Sequence, residues 1–338
     1  MIRVTPDNVR RYRLAASGLD SRLRSGELAA AAYAGLQDSA PRAAVISLHA
    51  RVEDVTPSSW EDPSLVQIWF RGGADYVVPR DDVGVFTIGA SSRDPDRVAA
   101  LETVADDVHR VLQGRTLRAR EVYDALPHYE RGMAVRGATI TGRIHIRWDA
   151  SKIWLTPVDR PDVDVEDARL ELARRFVRWF GPVTERRFAW WVGLEGSDVR
   201  ETWERLRPEL AAVEVFGEER LVLTESVDAL RDAVTPSGVR FVPHGDPVIK
   251  IDPELVDEAH RDEVFPRPKF KSSFWPVAGA LLIDGEFAGS WARQQRKVTV
   301  NPWRRLSPRE REAVEKEALA FPIAGGSSSV RFHLESVG

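Results

Sequence analysis

ELARRFVRWFGPVTERRFAWWVGL, residues 171–194, places six large aromatic residues and five arginines on either side of a single Gly-Pro. Val165 to Phe180 has apolar residues at i, i+4, i+7 and i+8, which predicts one face of an amphipathic helix. Gly181 suits the left-handed position that ends a helix, and the proline after it cannot continue one. Thr184 is a suitable N-cap for a second helix over Glu185 to Trp191. The stretch therefore predicts two helices joined by a short turn, with the rings as their shared core rather than a base-stacking surface.

The residues that follow predict a third helix and a β-hairpin. Ser197 is expected to cap a helix from Asp198 to about Leu210. VEVFGEERLVLT (213–224) alternates apolar and polar residues around a glycine turn, which is typical of a hairpin. Three helices followed by a hairpin is the element order of a winged helix.

Two segments upstream predict the same order of elements without any visible sequence repeat. In the first, helices beginning at Thr5-Pro6, Ser25 and Pro41 precede the hairpin VQIWFRGGADYVVP (66–79). In the second, helices over 94–113, 116–127 and 128–137 precede the hairpin RIHIRWDASKIWLTPV (143–158). Because a unit of roughly 60 residues is marginally stable alone, we expect the three units to pack against one another.

The last hundred residues predict strands with one helix. Asp284-Gly285 is a strong hairpin turn, and Ser307-Pro308 is expected to begin a helix through Leu319. We therefore expect an α+β chain of three tandem winged-helix units and a small C-terminal β-barrel-like domain. The expected units span 1–90, 91–160, 161–234 and 235–338.

The composition excludes several classes of protein. The 338 residues include no cysteine, which excludes disulfides, thiol nucleophiles and cysteine metal sites. No apolar run approaches the roughly 18–20 residues of a membrane span, and the N-terminus lacks the apolar segment of a signal peptide. We expect a soluble, cytoplasmic monomer. The histidines show no metal-binding spacing and no phosphate-binding loop or dinucleotide motif occurs, so neither metal nor cofactor is expected.

The charge is unevenly distributed along the chain. The formal net charge is −4, which argues against a simple basic nucleic-acid binder. Residues 1–51 nevertheless carry a net +4 and residues 265–306 a net +6, so the remainder carries −14. The two basic regions are consistent with a local phosphate-binding face, and equally with ordinary solvated surface.

Five stretches of sequence, taken in order along the chain, indicate a family. They are GLQDSAPRAAVISLHAR (35–51), WFRGGADYVVPRDD (69–82), RRFVRWFGPVTERRFAWWVGL (174–194), FVPHGDPVI (241–249) and LLIDGEFAGSW (281–291). They resemble the bacterial winged helix DNA-binding proteins that include the AlkZ-type DNA glycosylases. The resemblance covers nearly the whole chain and implies three tandem winged helices with a C-terminal β-barrel. It also implies binding of double-stranded DNA across a concave face and, for the glycosylases, excision of alkylated or crosslinked purines.

The resemblance also indicates where a catalytic motif would lie. Active members have Gln, an apolar residue and then Gln or Asp where this chain has Gln37, Asp38 and Ser39. Gln37 matches the first position, whereas Asp38 and Ser39 depart from the pattern. The family's arginine-glycine wing motif usually ends in histidine, and Tyr76 stands at about that position, which assigns it to DNA binding.

The chemistry of excision explains these candidates. Cleavage of an N-glycosidic bond places positive charge on the sugar and needs a water held opposite the base. Gln37 can orient that water, and Asp38 can supply a carboxylate if the backbone turns it inward. The alternative for Asp38 is an exposed acid at a helix entry. Ser39 is expected to cap the helix near Pro41, and Asp246 to form structural hydrogen bonds.

Several cationic side chains are candidates for DNA contact, each with ordinary surface exposure as the alternative. Arg42 lies near a helix start, where anions are favoured, and Arg71 lies in the first hairpin. The further candidates are Arg10, Lys269, Lys271, Arg293, Arg296 and Lys297. Two functions therefore remain open: a monofunctional, metal-free DNA glycosylase, and a non-catalytic DNA-binding regulator or damage-recognition factor.

Overall fold

The structure is a computed structural model that describes residues 2–71, 73–129, 132–250, 253–264, 277–323 and 330–336. Helices and strands alternate through these ranges, as expected for an α+β chain. None of the helices in the described ranges is long and apolar enough to cross a membrane. Lys269 and Lys271 lie outside the described residues.

The first ninety residues form short helices around a hairpin. The helices are α1 (Pro6–Ala16), α2 (Leu28–Ala31), α3 (Ala43–Arg51) and α4 (Val83–Phe86), and the strands are β1 (Ile2–Arg3), β2 (Leu36–Gln37), β3 (Leu65–Phe70) and β4 (Ala74–Pro79). Helix α1 begins as predicted because the Thr5 hydroxyl accepts the Asn8 N–H. The helix expected from Ser25 is only the single turn α2. Helix α3 begins two residues after the predicted Pro41, because Arg42 is left-handed at φ 63°.

The second segment shares its sheet with the first. Its elements are β5 (Leu117–Arg118), β6 (Ile144–Trp148), β7 (Ile153–Pro157), α5 (Pro95–Leu112), α6 (Ala119–Ala125) and α7 (Met133–Ala138). The helix predicted over 94–113 is confirmed as α5, and the Asp94 side chain caps it by accepting from two backbone N–H groups. The six strands lie in the order β2-β4-β3-β6-β7-β5, and Gln67 pairs with Ile146 where the two hairpins meet. The predicted hairpins of the first and second units are therefore one continuous sheet.

The third segment contains the sequence 171–194. Its elements are α8 (Val165–Phe180), α9 (Glu185–Val192), α10 (Gly196–Leu206), α11 (Val227–Arg231), β8 (Leu210–Val215) and β9 (Glu218–Leu223), with β1 pairing parallel to β8. Thr184 caps α9 as predicted. The prediction of a left-handed Gly181 is wrong, because its φ is −56° and its bond to Pro182 is cis. Ser197 does not cap α10, which already begins at Gly196.

Five of the six aromatic rings in residues 171–194 are buried in a core, as predicted, whereas Trp190 is 49% exposed. Phe176, Phe180, Phe188 and Trp191 are each 3% exposed or less. The Trp191 ring lies 5.4 Å from that of Phe70 in β3, so the first and third segments share one apolar core. Their rings therefore close the interface between segments as well as the core of one segment.

The C-terminal part is a sheet with one long helix. Its elements are β10 (Val239–Pro243), β11 (Val277–Ile283), β12 (Glu286–Gln294), β13 (Lys297–Pro302), β14 (Arg331–Leu334), α12 (Pro247–Lys250), α13 (Arg261–Val264) and α14 (Pro308–Leu319). The strands lie in this same order, so β10 and β14 are the edges within the described residues. The predicted turn at Asp284-Gly285 and the cap at Ser307 are both confirmed. Ala43 and Ile46 of α3 pack into the core of this sheet.

A buried ion pair fixes the same helix to the C-terminal part. Arg51 donates from Nη1 and Nη2 to the two carboxylate oxygens of Asp246, at 2.7 and 2.8 Å. The Ser47 hydroxyl and the Val248 N–H donate to the same carboxylate at 2.7 and 3.1 Å. The structural hydrogen-bonding role predicted for Asp246 is confirmed, and α3 is held to the segment that follows β10.

Candidate active site

Gln37 lies at the end of β2, where the first segment meets the loop after β10. It pairs with Tyr76 of β4 and its amide nitrogen donates to the Ser39 hydroxyl at 3.1 Å. A methyl group at Gly245 would lie 3.3 Å from the Gln37 side chain, so the glycine allows this close approach. A cavity of about 260 Å³ is lined by Gln37, Ser39, Ala40, Ala43, His244 and Gly245. The half-buried amide therefore faces a cleft.

Asp38 is turned into the interior. The side chain is 0% exposed, and its oxygens accept from the Ala44 N–H at 3.0 Å and the Gln67 amide at 3.1 Å. The Arg42 guanidinium lies 3.2 Å away. Burial raises the pKa of Asp38 to about 7, while Arg42 and the two donors act in the opposite direction. The exposed acid considered as an alternative is therefore not observed, and the catalytic assignment of Asp38 stays a prediction.

Ser39 does not cap the helix, so that prediction is wrong. Its hydroxyl oxygen accepts from the Asp75 N–H at 3.2 Å and from Gln37. In the first turn of α3, the Ala44 N–H instead donates a hydrogen bond to the Asp38 carboxylate. Ser39 thus connects β2 to β4 beside the cleft.

Arg42 lies within the protein rather than at a helix entry open to solvent. It donates to the Trp148 carbonyl at 2.6 Å, and its guanidinium lies 4.0 Å from the centre of the Trp60 ring. Together with its contact to Asp38, these interactions hold the guanidinium within the protein through Nη2, while Nε and Nη1 are buried without a hydrogen-bond partner among the described residues. Its assignment to DNA stays a prediction that the observed conformation does not favour.

Tyr76 and Arg71 occupy different environments in the β3–β4 hairpin. Tyr76 is only 3% exposed and its ring packs edge-on against Phe70, so the side chain is a core residue and not a surface contact. Arg71, at the turn of the hairpin, stacks on Trp190 with its guanidinium 3.8 Å from the ring centre. Of the two predicted DNA contacts, the structure therefore leaves Arg71 accessible and encloses Tyr76.

The remaining predicted cations likewise divide into side chains held by protein groups and side chains exposed on the surface. Arg10 is paired with Asp7 and Glu286. Arg293 donates to the Pro41 carbonyl at 2.9 Å, and burial lowers its pKa. Arg296 and Lys297 are exposed at the turn between β12 and β13. These two are the C-terminal candidates that lie on the surface of the described chain.

Two side chains beside Gln37, those of Asp75 and His244, were not predicted from the sequence. Asp75 accepts from the Trp69 indole N–H at 2.9 Å, and burial raises the pKa of its carboxyl. His244 lines the cleft, and its Nδ1 lies 3.2 Å from the Ala278 carbonyl. Both residues stand in stretches that indicated the family, but no spacing in the sequence places either one beside Gln37.

Residues 30–321 match the DNA glycosylase AlkZ-like family. The chain belongs to this family. The AlkZ-like chain is 25% identical over 205 residues to the interstrand DNA cross-link repair glycosylase of Streptomyces sahachiroi, a match covering 59% of this chain and 53% of that protein. The match thus spans about half the length of this curated relative. The solved structure of Streptomyces sahachiroi DNA glycosylase AlkZ superposes with a TM-score of 0.76 at 19% identity, over 99% of this chain and 100% of that one, which shows a shared mixed α+β fold.

The described part of the AlkZ-like chain contains no group of three or more His, Asp or Glu side chains that could hold a metal ion.

The buried carboxyl of Asp38 predicts a pH-dependent stability. Its pKa rises from 3.8 to about 7 on folding, so the stability that it contributes is fully present below pH 3.8 and is lost as the pH rises to about 7. Asp38→Asn removes this titration. The free energy of unfolding of the wild type minus that of the variant is expected to decrease by up to about 4 kcal/mol across this window. Urea unfolding at a series of pH values measures it, and a difference that increases with pH would contradict the raised pKa.

Proposed function

We propose that this chain is a monofunctional DNA glycosylase that hydrolyses the N-glycosidic bond of alkylated or crosslinked purines in double-stranded DNA. The observation that supports this most is the Gln37 amide at the mouth of a cleft, at the position where the resemblance puts a catalytic glutamine. The name of the curated relative suggests an interstrand crosslink as the substrate.

We further propose how the segments of the chain bind DNA. The three helix–hairpin segments act as winged-helix units, and the C-terminal sheet acts as a barrel-like domain beside them. A monomer binds DNA along the concave face without a metal ion. Arg71, Arg296 and Lys297 are proposed to contact DNA phosphates, supported by the exposure of Arg296 and Lys297 and by the half-exposed position of Arg71 at the β3–β4 hairpin.

In the proposed reaction, Gln37 orients the attacking water. The bond from C1′ to the purine nitrogen breaks with its electron pair going to the purine, and the water oxygen bonds to C1′. We propose His244 as the group that takes the water proton. Its contact with the Ala278 carbonyl requires a hydrogen on Nδ1, which makes Nε2 the basic nitrogen.

Asp38 and Asp75 are proposed to position this site. The Asp38 backbone N–H donates to the Asp75 carbonyl at 2.8 Å, and both side chains are held by donors from β3. These contacts fix the end of β2, and therefore the direction of the Gln37 amide. Asp38 thus acts through Gln37 rather than on the substrate.

Separation of the strands of a crosslinked duplex tests the proposal. A duplex joined by one interstrand purine crosslink is incubated with the protein and analysed on a denaturing gel. We expect single strands to appear, one of them bearing an abasic site that alkali cleaves. Binding that leaves the crosslink intact would instead favour a non-catalytic damage-recognition factor, a function that the serine at position 39 would also suit.

The role of His244 predicts a change in pH dependence. The excision rate of the wild type is expected to rise with pH, because only an imidazole that has lost its second proton can accept one from water. His244→Gln is expected to remove this rise and to lower the rate at pH 8 by roughly tenfold. A tenfold effect is smaller than the usual contribution of a general base, because the bond to the alkylated purine breaks before the water attacks. Single-turnover rates from pH 5 to pH 9 measure it, and an unchanged profile in the variant would exclude His244 as the base.

A further inference from the structure

A second, larger cavity lies next to the β3–β4 hairpin. It has a volume of about 530 Å³, within the range of small-molecule sites. Its walls come from the turn of the hairpin, from α5 and α7, and from the end of α9. We call this cavity the hairpin groove.

Arginines of the hairpin groove are preorganised by stacking. The Arg71 guanidinium lies 3.8 Å from the centre of the Trp190 ring, and that of Arg136 lies 5.0 Å from the centre of Trp69. Arg97 on α5 is exposed at the rim. Guanidinium planes held against indoles offer fixed donor pairs to a phosphate.

These arginines share one property that favours anion binding. Within the described ranges, Arg71, Arg97 and Arg136 have no carboxylate within 4.0 Å, whereas Arg174 and Arg175 of α8 are each paired with two acids. No acidic side chain of the described residues lines the groove, and although Asp75 acts on Arg136 from beyond 4.0 Å, three cations around one concave surface produce a net positive potential there. The groove is therefore a favourable place for an anionic ligand.

The rest of the hairpin groove combines polar residues, Ser91, Ser92 and Thr139, with an apolar wall. Its lining includes Ile140, Val192 and Leu194. Met133 at its edge is 72% exposed, and Trp190 beneath Arg71 is 49% exposed. Large exposed apolar side chains beside a cationic cavity suit a ligand that has both a flat ring and a negative charge.

We propose that the hairpin groove binds one unpaired nucleotide of DNA, with its base against the apolar wall and its phosphate against Arg71 and Arg136. A paired duplex backbone is convex and offers no exposed ring, so it fits such a cavity poorly. This inference deepens the proposed function and depends on the chain acting on DNA. A path of hydrogen bonds joins the groove to the cleft: the Trp69 indole donates to Asp75, the Asp75 N–H donates to Ser39, and Gln37 donates to the same hydroxyl.

The test is a binding comparison with undamaged DNA, so that no excision is needed. Two short duplexes share their sequence, and one contains a single extra unpaired adenine. We expect the wild type to bind the bulged duplex about tenfold more tightly, or by about 1.4 kcal/mol, because the unpaired base can stack in the groove. The double variant Arg71→Lys, Arg136→Lys keeps the charge but loses the planar groups, and its preference is expected to fall below about threefold. Arg71→Ala with Arg136→Ala is expected to abolish it.

Arg309→Ala with Arg311→Ala is the matched control, because these exposed arginines lie on α14 and removing both lowers the net charge by the same two units as the double alanine variant. It is expected to keep the tenfold preference. Equal affinity of the wild type for both duplexes, or a preference that survives in both double variants, would overturn the proposal. A bulge preference without strand separation of crosslinked DNA would leave the groove in place and reject the glycosylase. Strand separation without a bulge preference would support the glycosylase and reject nucleotide binding in the groove.

Discussion

Replacing Gln37 by alanine is expected to lower the rate of purine excision at least about 100-fold. The amide faces the cleft, and removal of one preorganised group that acts in the transition state typically costs 10²–10³ in rate. Because Gln37 lies at a strand end and is half-buried, the truncation removes little packing. The single-turnover rate on a crosslinked duplex, with protein in excess, measures the effect.

The matched control is Gln294→Ala, which removes the same amide from the exposed end of β12. It is expected to excise at the wild-type rate. Urea unfolding of the Gln37→Ala variant should give a free energy close to that of the wild type, which separates chemistry from stability. Excision by the variant within a few-fold of the wild-type rate would remove Gln37 from the mechanism.

Removing the carboxylate of Asp246 is expected to lower the free energy of unfolding by about 3–5 kcal/mol. Asp246→Ala leaves the Arg51 guanidinium buried without its counter-ion, and both side chains of this pair are 0% exposed. The same change removes the acceptor for the Ser47 hydroxyl. Because α3 directly follows the segment that contains Gln37, we also expect Asp246→Ala to lose excision activity under conditions close to its own unfolding midpoint.

Asp124→Ala provides the comparison, because Asp124 pairs with Arg120 on the surface of α6 with both side chains well exposed. Its removal should leave the unfolding midpoint unchanged within error. A second comparison is Arg51→Met with Asp246→Leu, which replaces both charges and should recover part of the lost stability. An Asp246→Ala variant as stable as Asp124→Ala would show that the pair does not hold α3 in place.

Local rules predicted the helices well where a cap and a periodic face agree. The helix from Val165 to Phe180 and the helix after Ser307 have the expected bounds, because their caps and apolar spacing are both local in sequence. Predictions of helix ends failed where a residue has a backbone conformation that its type does not indicate. Arg42 is left-handed and so delays α3, and Gly181 ends its helix with an extended conformation.

Side-chain direction at the site depended on contacts that are distant in sequence. Asp38 points inward because Gln67 and Arg42 hold it from β3 and from the loop before α3. The sequence of β4 is compatible with the Tyr76 side chain on either side of the sheet. Only its packing against Phe70 shows that Tyr76 is buried. His244 reaches the cleft from the C-terminal part, so its proximity to Gln37 is a property of the fold rather than of the motif.

Release of the free base tests the central claim most directly. A duplex with one alkylated purine is incubated with an excess of protein, and the low-mass fraction is analysed by mass spectrometry. We predict one free modified purine for each abasic site formed, with neither product above background for Gln37→Ala. Complete binding of alkylated and crosslinked duplexes with no free purine in either case would contradict the assignment of this chain as a glycosylase.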